Sequence, residues 1–180
     1  MSRPNLLFLM TDQQRADTIE PQTACQTPNL VKLAAGGARF QRCYTVNPIC
    51  SPARASLITG LLPHSHGMVD VPHAVPAYRA KYEATLPVWP RLLQSAGYNT
   101  AYFGKWHVER GQRLDTFGFD TYEVEQYQQK LGLVEVKEEL ADRRMVRQKG
   151  YADFLLSGVS DAPLESLPEY QMFSDGITFL

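Results

Sequence analysis

The sequence predicts an α/β fold, a sandwich with a mostly parallel central sheet flanked by helices, and three observations carry that expectation. Apolar runs of strand length recur at 5–10, at Phe40–Val46 and at Tyr98–Phe103. Segments with helical spacing and helix punctuation lie between them. Strand alternating with helix is the pattern of a sheet whose strands run parallel, with helices packed over its faces.

Residues 5–10 (Asn-Leu-Leu-Phe-Leu-Met) form a continuous apolar run, the pattern of a strand covered on both faces. The polar Thr11-Asp12-Gln13-Gln14 sits at its C-terminal end, where open α/β sheets bind ligands. Thr27-Pro28 starts a helix, with Thr as N-cap and Pro at the first helical position. Leu30, Leu33 and Ala34 give that helix its stripe, and Gly36-Gly37 ends it. Phe40–Val46 alternates as a second strand. Arg54–Ile58 reads as a helix ended near Gly60, and Leu86–Ala96 as a Pro-containing helix closed by Gly97. Tyr98–Phe103 is the next strand.

Beyond Glu123 the composition turns to Gln, Glu, Lys and Arg as far as Lys149, which predicts one or two solvated helices or an insertion over the sheet. Residues 157–170, with Pro163 and Pro168, predict an irregular loop, and Ser174–Leu180 the start of a helix cut off mid-pattern. The chain is thus expected to hold one domain over 1–180, a motif-bearing core at 1–122 and a charged helical and loop region at 123–180.

Eighteen Lys plus Arg against nineteen Asp plus Glu leave a net charge of −1, so nothing global attracts nucleic acid or an anionic membrane. The run Leu6–Met10 is too short for a signal h-region or a membrane span, which makes the cytoplasm the expected compartment. There Cys25, Cys43 and Cys50 stay reduced, and their odd number argues against a closed disulfide framework. Cys25 and Cys43 are expected as ordinary buried or half-buried thiols.

Chemistry concentrates in Pro48-Ile49-Cys50-Ser51-Pro52-Ala53-Arg54-Ala55-Ser56-Leu57-Ile58-Thr59-Gly60. A Cys at the N-terminal end of a helix meets unpaired backbone N–H groups and the positive end of the dipole, and Arg54 one turn on adds a guanidinium fork; the geometry suits an anion. At Gly97–His107 a strand runs into Gly104-Lys105-Trp106-His107, where a Lys cation and a His donor two residues apart can point toward one oxyanion.

These segments resemble the sulfatase family. Its first signature centres on Cys-x-Pro-x-Arg followed by small and apolar residues and Thr-Gly, all present here, and its second resembles Gly97–His107, with Phe103 bulkier than the residue usual before that Gly. The resemblance implies an alkaline-phosphatase-like sandwich and a sulfuric ester hydrolase acting on a small-molecule sulfate ester. It implies that a formylglycine-generating enzyme oxidises Cys50 to formylglycine, whose hydrate attacks sulfur and then expels sulfate by collapsing to the aldehyde. Arg54, Lys105 and His107 are then catalytic, with Lys105 and His107 contacting the sulfate and His107 the more suitable acid for the leaving oxygen.

The family also places a divalent cation, normally calcium, at the end of the first strand. Here Asp12, Gln13 and Cys50 are the implied metal-site residues, and Gln13 stands where many members carry a second Asp. That exchange lowers the site's negative charge and makes manganese or magnesium alternatives. A similar Asp-Gln occurs in choline-sulfatase-like and phosphonate-monoester-hydrolase-like members, so a phosphonate or phosphodiester substrate is a second reading. The remaining metal ligands of the family come later in a longer chain, and Asp153, Asp161 and Asp175 lack the expected neighbours; a truncated, catalytically incomplete fragment is the third reading.

Two further groups lie outside the signatures. His64 and His66 are read as loop-ordering hydrogen bonders, because no Cys or carboxylate flanks them at zinc-site spacing. His73 with Tyr78, Tyr82 and Trp89 could line a substrate entrance, with core packing the simpler account of the aromatics.

Overall fold

A computed structural model describes residues 3–20, 25–76, 82, 85–109, 111, 113–124 and 162–180. Residues 125–149 of the region expected as solvated helices, Tyr78, Asp153, Asp161 and the first part of the 157–170 loop lie outside the described residues, and Glu123, at the start of that region, belongs to a strand.

The ordered core begins with helix α2, Cys50–Thr59, four residues earlier than the sequence predicts. Pro52 suits its first turn, where the missing N–H has no intrahelical role. Gly60 ends it in the left-handed conformation (φ 72°), its N–H donating to the Ser56 carbonyl at 2.8 Å. Ser51, Pro52, Arg54, Ala55, Ser56 and Ile58 are all buried, so the helix is covered around much of its circumference. That is why its sequence shows little amphipathic period.

One short turn of helix, α3 (Pro63–His66), follows and packs on α2. Helix α4, Trp89–Ser95, is shorter than the expected Leu86–Ala96, because Val88 is extended and Pro90 opens the helix. Strand β1, Ala101–Phe103, pairs in parallel with β2, Thr121–Glu123, in the register Ala101↔Thr121, Tyr102↔Tyr122 and Phe103↔Glu123. The sequence showed no strand pattern at β2; three residues are too few to display a period.

Trp106, 1% exposed, is the hub of the core. Its ring meets Phe117 edge-on at 4.8 Å and also contacts Tyr102 and Phe119. Ala55, Ile58, Met68, Val88, Val108, Leu114 and Val124 complete the cluster. Helix α5, Pro168–Phe179, starts inside the segment expected as loop and packs against β1. Phe103, the bulky departure from the family pattern, has its ring 6.2 Å from Phe179 and lies against Gly176.

Several expectations are corrected. Residues 5–10 and 40–46 carry no strand, and their apolar side chains are exposed, Phe40 by 81% and Tyr44 by 83%. A strand's hydrogen bonds are made to another segment, so an apolar run without a ladder partner among the described residues is not a strand. Helix α1 spans Pro28–Ala35 as expected, but none of its residues is buried, and Thr27 donates its hydroxyl to the Thr18 carbonyl instead of capping it. Cys25 and Cys43 are exposed, since they sit in these uncovered segments. No helix among the described residues is long and apolar enough to cross a membrane.

Candidate active site

Cys50 is the first residue of α2, half-buried, and Arg54 lies one turn on along the same face. The chain enters the helix through an Asx turn, the Asn47 side-chain oxygen accepting from the Ile49 N–H at 2.8 Å. Ser51, next to Cys50, is fully buried with a hydroxyl that has no hydrogen-bond partner among the described residues.

Arg54 ties α2 to the loop after β1. Its Nη1 donates to the Lys105 carbonyl at 2.6 Å, and the Tyr102 hydroxyl donates to that same carbonyl at 2.5 Å. The guanidinium is buried yet keeps a carboxylate in reach, with Asp12 at 3.9 Å from Nη2. Burial pushes the Tyr102 hydroxyl above its usual range, against the opposing pull of Arg54, so the ring serves as a neutral donor. Tyr102 was not among the residues singled out from sequence; its place on the last turn of strand before Gly104-Lys105 was the one available signal.

Lys105 and His107 flank the buried Trp106, which anchors the loop while its neighbours stand on the open side. Lys105 Nζ donates to Asp12 Oδ2 at 2.5 Å. That hydrogen bond, with the charges of Lys105 and Arg54, holds the Asp12 carboxyl below its usual range despite partial burial. Asp12, Arg54 and Lys105 therefore form one charge cluster drawn from three distant parts of the chain. Gln13, exposed and with φ 55°, turns the chain immediately after Asp12.

His107 takes a separate partner. Its backbone is left-handed (φ 50°), its Nε2 lies 3.1 Å from Nδ1 of His73, and its own Nδ1 is buried with no partner among the described residues. Burial first, then the cations Lys105 and Arg54 together with His73, lower its pKa; Asp12 opposes them weakly. His107 is thus in the field of the same cluster.

His66 is fully buried. It accepts at Nδ1 from the Met68 N–H at 3.1 Å, so its Nε2 carries the hydrogen and donates to Ser56 Oγ at 2.9 Å. The direction is opposite to that of a base activating a serine, and the pair ties α2 to α3.

A hard divalent cation such as calcium takes about six to eight oxygen ligands. Among the described residues no group of three or more His, Cys, Asp or Glu converges, and the carboxylate of Asp12 faces Lys105 and Arg54. The described residues do not by themselves make a metal site.

A parallel strand pair with helices packed on it is a part of the α/β arrangement expected of an alkaline-phosphatase-like sandwich. The sulfatase family profile matches residues 4–161, and the chain belongs to that family. It is 32% identical over 157 residues to an N-acetylglucosamine-6-O-sulfatase of Bacteroides thetaiotaomicron, a match covering 86% of this chain and 26% of the relative. It is 42% identical over 129 residues to the N-acetylgalactosamine-6-sulfatase of Canis lupus familiaris, covering 66% and 25%. The crystal structure of yidJ from Bacteroides fragilis, assigned as a sulfatase, superposes with a TM-score of 0.54 at 34% identity, covering 61% of this chain and 24% of that one. The chain spans about a quarter of the length of the curated relatives it matches.

Proposed function

We propose that this chain carries the nucleophile and part of the anion-binding cradle of a sulfuric ester hydrolase that cleaves a small-molecule sulfate ester. The supporting observation is the bridge from Arg54 to Lys105, which joins the helix headed by Cys50 to the loop bearing Lys105 and His107. Once Cys50 is converted to formylglycine by a formylglycine-generating enzyme, its hydrate supplies the attacking oxygen. Arg54 and Lys105 offset the charge of the sulfate, and His107 passes a proton to the departing oxygen. Asp12, Gln13 and Cys50 would hold the divalent cation of this family, calcium with manganese or magnesium as alternatives, and such a cation would supply positive charge toward the ester.

Two measurements test this. Mass analysis of the peptide containing Cys50 should show the loss that accompanies replacement of a thiol-bearing methylene by an aldehyde. Replacing Cys50 with Ala should abolish hydrolysis of aryl sulfate; persisting turnover sinks the assignment.

A phosphonate or phosphodiester substrate is the second reading, favoured by the Asp12-Gln13 pair and by a cation cradle that suits tetrahedral anions in general. A large rate preference for an aryl phosphonate ester over an aryl sulfate would reverse the order. A catalytically incomplete fragment is the third, supported by the exposed apolar side chains of Leu6–Met10. A monodisperse monomer on size-exclusion chromatography counts against it.

A further inference from the structure

Both lone pairs of the Lys105 carbonyl are in use, since Arg54 Nη1 donates to it at 2.6 Å and the Tyr102 hydroxyl at 2.5 Å. Arg54 Nη1 also makes a longer contact, 3.4 Å, with that hydroxyl, so guanidinium, phenol and carbonyl close a triangle. The one hydrogen of the phenol is spent on the carbonyl, and its oxygen is left to accept from Arg54. The ring that carries it cannot swing away. Tyr102 is the middle residue of β1, and its ring stands edge-on to Trp106 at 5.3 Å and to Phe119 at 5.2 Å, both of them buried. At the other end of the fork, Nη2 lies 3.9 Å from Asp12, an ion pair beyond hydrogen-bond range. Core atoms thus hold the Nη1 end, and the Nη2 end faces the place where Asp12 meets Lys105.

We propose that Tyr102 is a positioning residue for Arg54: its hydroxyl fixes Nη1 against the Lys105 carbonyl and so turns the Nη2 edge of the guanidinium toward the anion that the site takes. A planar fork recognises a tetrahedral oxyanion by the directions of its N–H groups, so a rotated guanidinium loses affinity even though its charge stays in place. The same hydroxyl holds the peptide that follows Lys105, which fixes the base of the second cation of the cradle. That the anion is a sulfate ester rests on the function proposed above; the hydrogen bond from Tyr102 to the carbonyl does not.

The test is Tyr102→Phe, which keeps the ring in its packing and removes only the hydroxyl. Its control is Tyr122→Phe, which removes a phenol from the paired position on β2, where it donates to the exposed Asp115 at 3.2 Å. Lys105-Trp106 is the one Lys-Trp pair in the sequence, so protein carrying carbonyl-labelled lysine and nitrogen-labelled tryptophan reports on this carbonyl alone. Its carbon signal should move upfield in Tyr102→Phe, as one of two donors is lost, and stay in place in Tyr122→Phe. The dissociation constant for inorganic sulfate should rise about two- to tenfold in Tyr102→Phe, the equivalent of one hydrogen bond's net contribution, and be unchanged in Tyr122→Phe. A carbonyl signal unmoved in Tyr102→Phe overturns the hydrogen bond. A moved signal with unchanged sulfate affinity overturns the positioning role, and so does an equal loss of affinity in both variants, which marks a general softening of the strand pair. Wild-type protein that binds sulfate yet hydrolyses no sulfate ester ends the proposed function and leaves the role of Tyr102 standing; wild-type protein that binds no sulfate ends both.

Discussion

Arg54 and Lys105 are joined through backbone, not through charge: the guanidinium on α2 donates to the carbonyl of Lys105 at 2.6 Å, and so holds the loop after β1. An ammonium on a flexible stem cannot reproduce a buried planar fork that spans the Lys105 carbonyl, the Tyr102 hydroxyl and the Asp12 carboxylate. Arg54→Lys should therefore destabilise the protein by about 1–3 kcal/mol, the usual penalty for leaving a buried hydrogen-bonding group unpaired. Urea denaturation of the two proteins measures it.

The Asp12–Lys105 pair predicts a titration. Asp12 is held below its ordinary value of 3.8 chiefly by the hydrogen bond from Lys105, so its contribution is complete above that value and is lost as pH falls through the lower folded value. Lys105→Gln should move the Asp12 titration toward the ordinary value, read from its carboxyl carbon shift. An unmoved midpoint would assign the effect to Arg54 alone.

Ser56 and His66 predict a loss of stability with a pH signature. Ser56→Ala removes the hydroxyl that accepts from the buried Nε2–H of His66 and should cost about 0.5–1.5 kcal/mol. Burial lowers the pKa of His66 below 6.5, so below that value the unfolded chain takes up a proton that the folded chain resists. Stability gained from this group is thus present above 6.5 and declines as pH falls toward and through the folded value. His107, depressed in the same direction, adds to the same slope. Denaturation midpoints at about pH 7.5 and about pH 5 should differ in that sense, since both groups titrate below the usual histidine value.

Two glycines predict unequal damage. Gly104 (φ 106°) and Gly118 (φ 91°) both have backbones that side chains disfavour, which costs about 1–3 kcal/mol for an added Cβ. At Gly104 the new Cβ meets the side chain of Met172, which can move aside. At Gly118 it meets the backbone N and Cα of Arg91, which cannot. Gly118→Ala should lower the melting temperature more than Gly104→Ala, and the reverse order would mean that α5 is held more tightly than α4.

The helix elements legible in the sequence were those with local punctuation. Pro28 and Gly36 bound α1, Gly60 ends α2 and Gly97 follows α4, because caps and fixed φ values act within a few residues of the chain. Strands behaved otherwise. Tyr98–Phe103 yielded β1 at its end, while 5–10 and 40–46 formed none, since pairing depends on a partner that the segment itself does not encode.

Within the candidate site the same division holds. The candidate residues Cys50, Arg54, Lys105, His107 and Asp12 could be named from two signatures and a carboxylate after an apolar run, because their chemistry and spacing lie along the chain. Only the tertiary structure decided that Arg54 grips a carbonyl, that Asp12 pairs with Lys105, and that His73 and not a carboxylate meets His107. Those relationships join residues 93, 51 and 34 positions apart, and contacts at such separations are set by how the core around Trp106 packs, not by any local preference of the sequence.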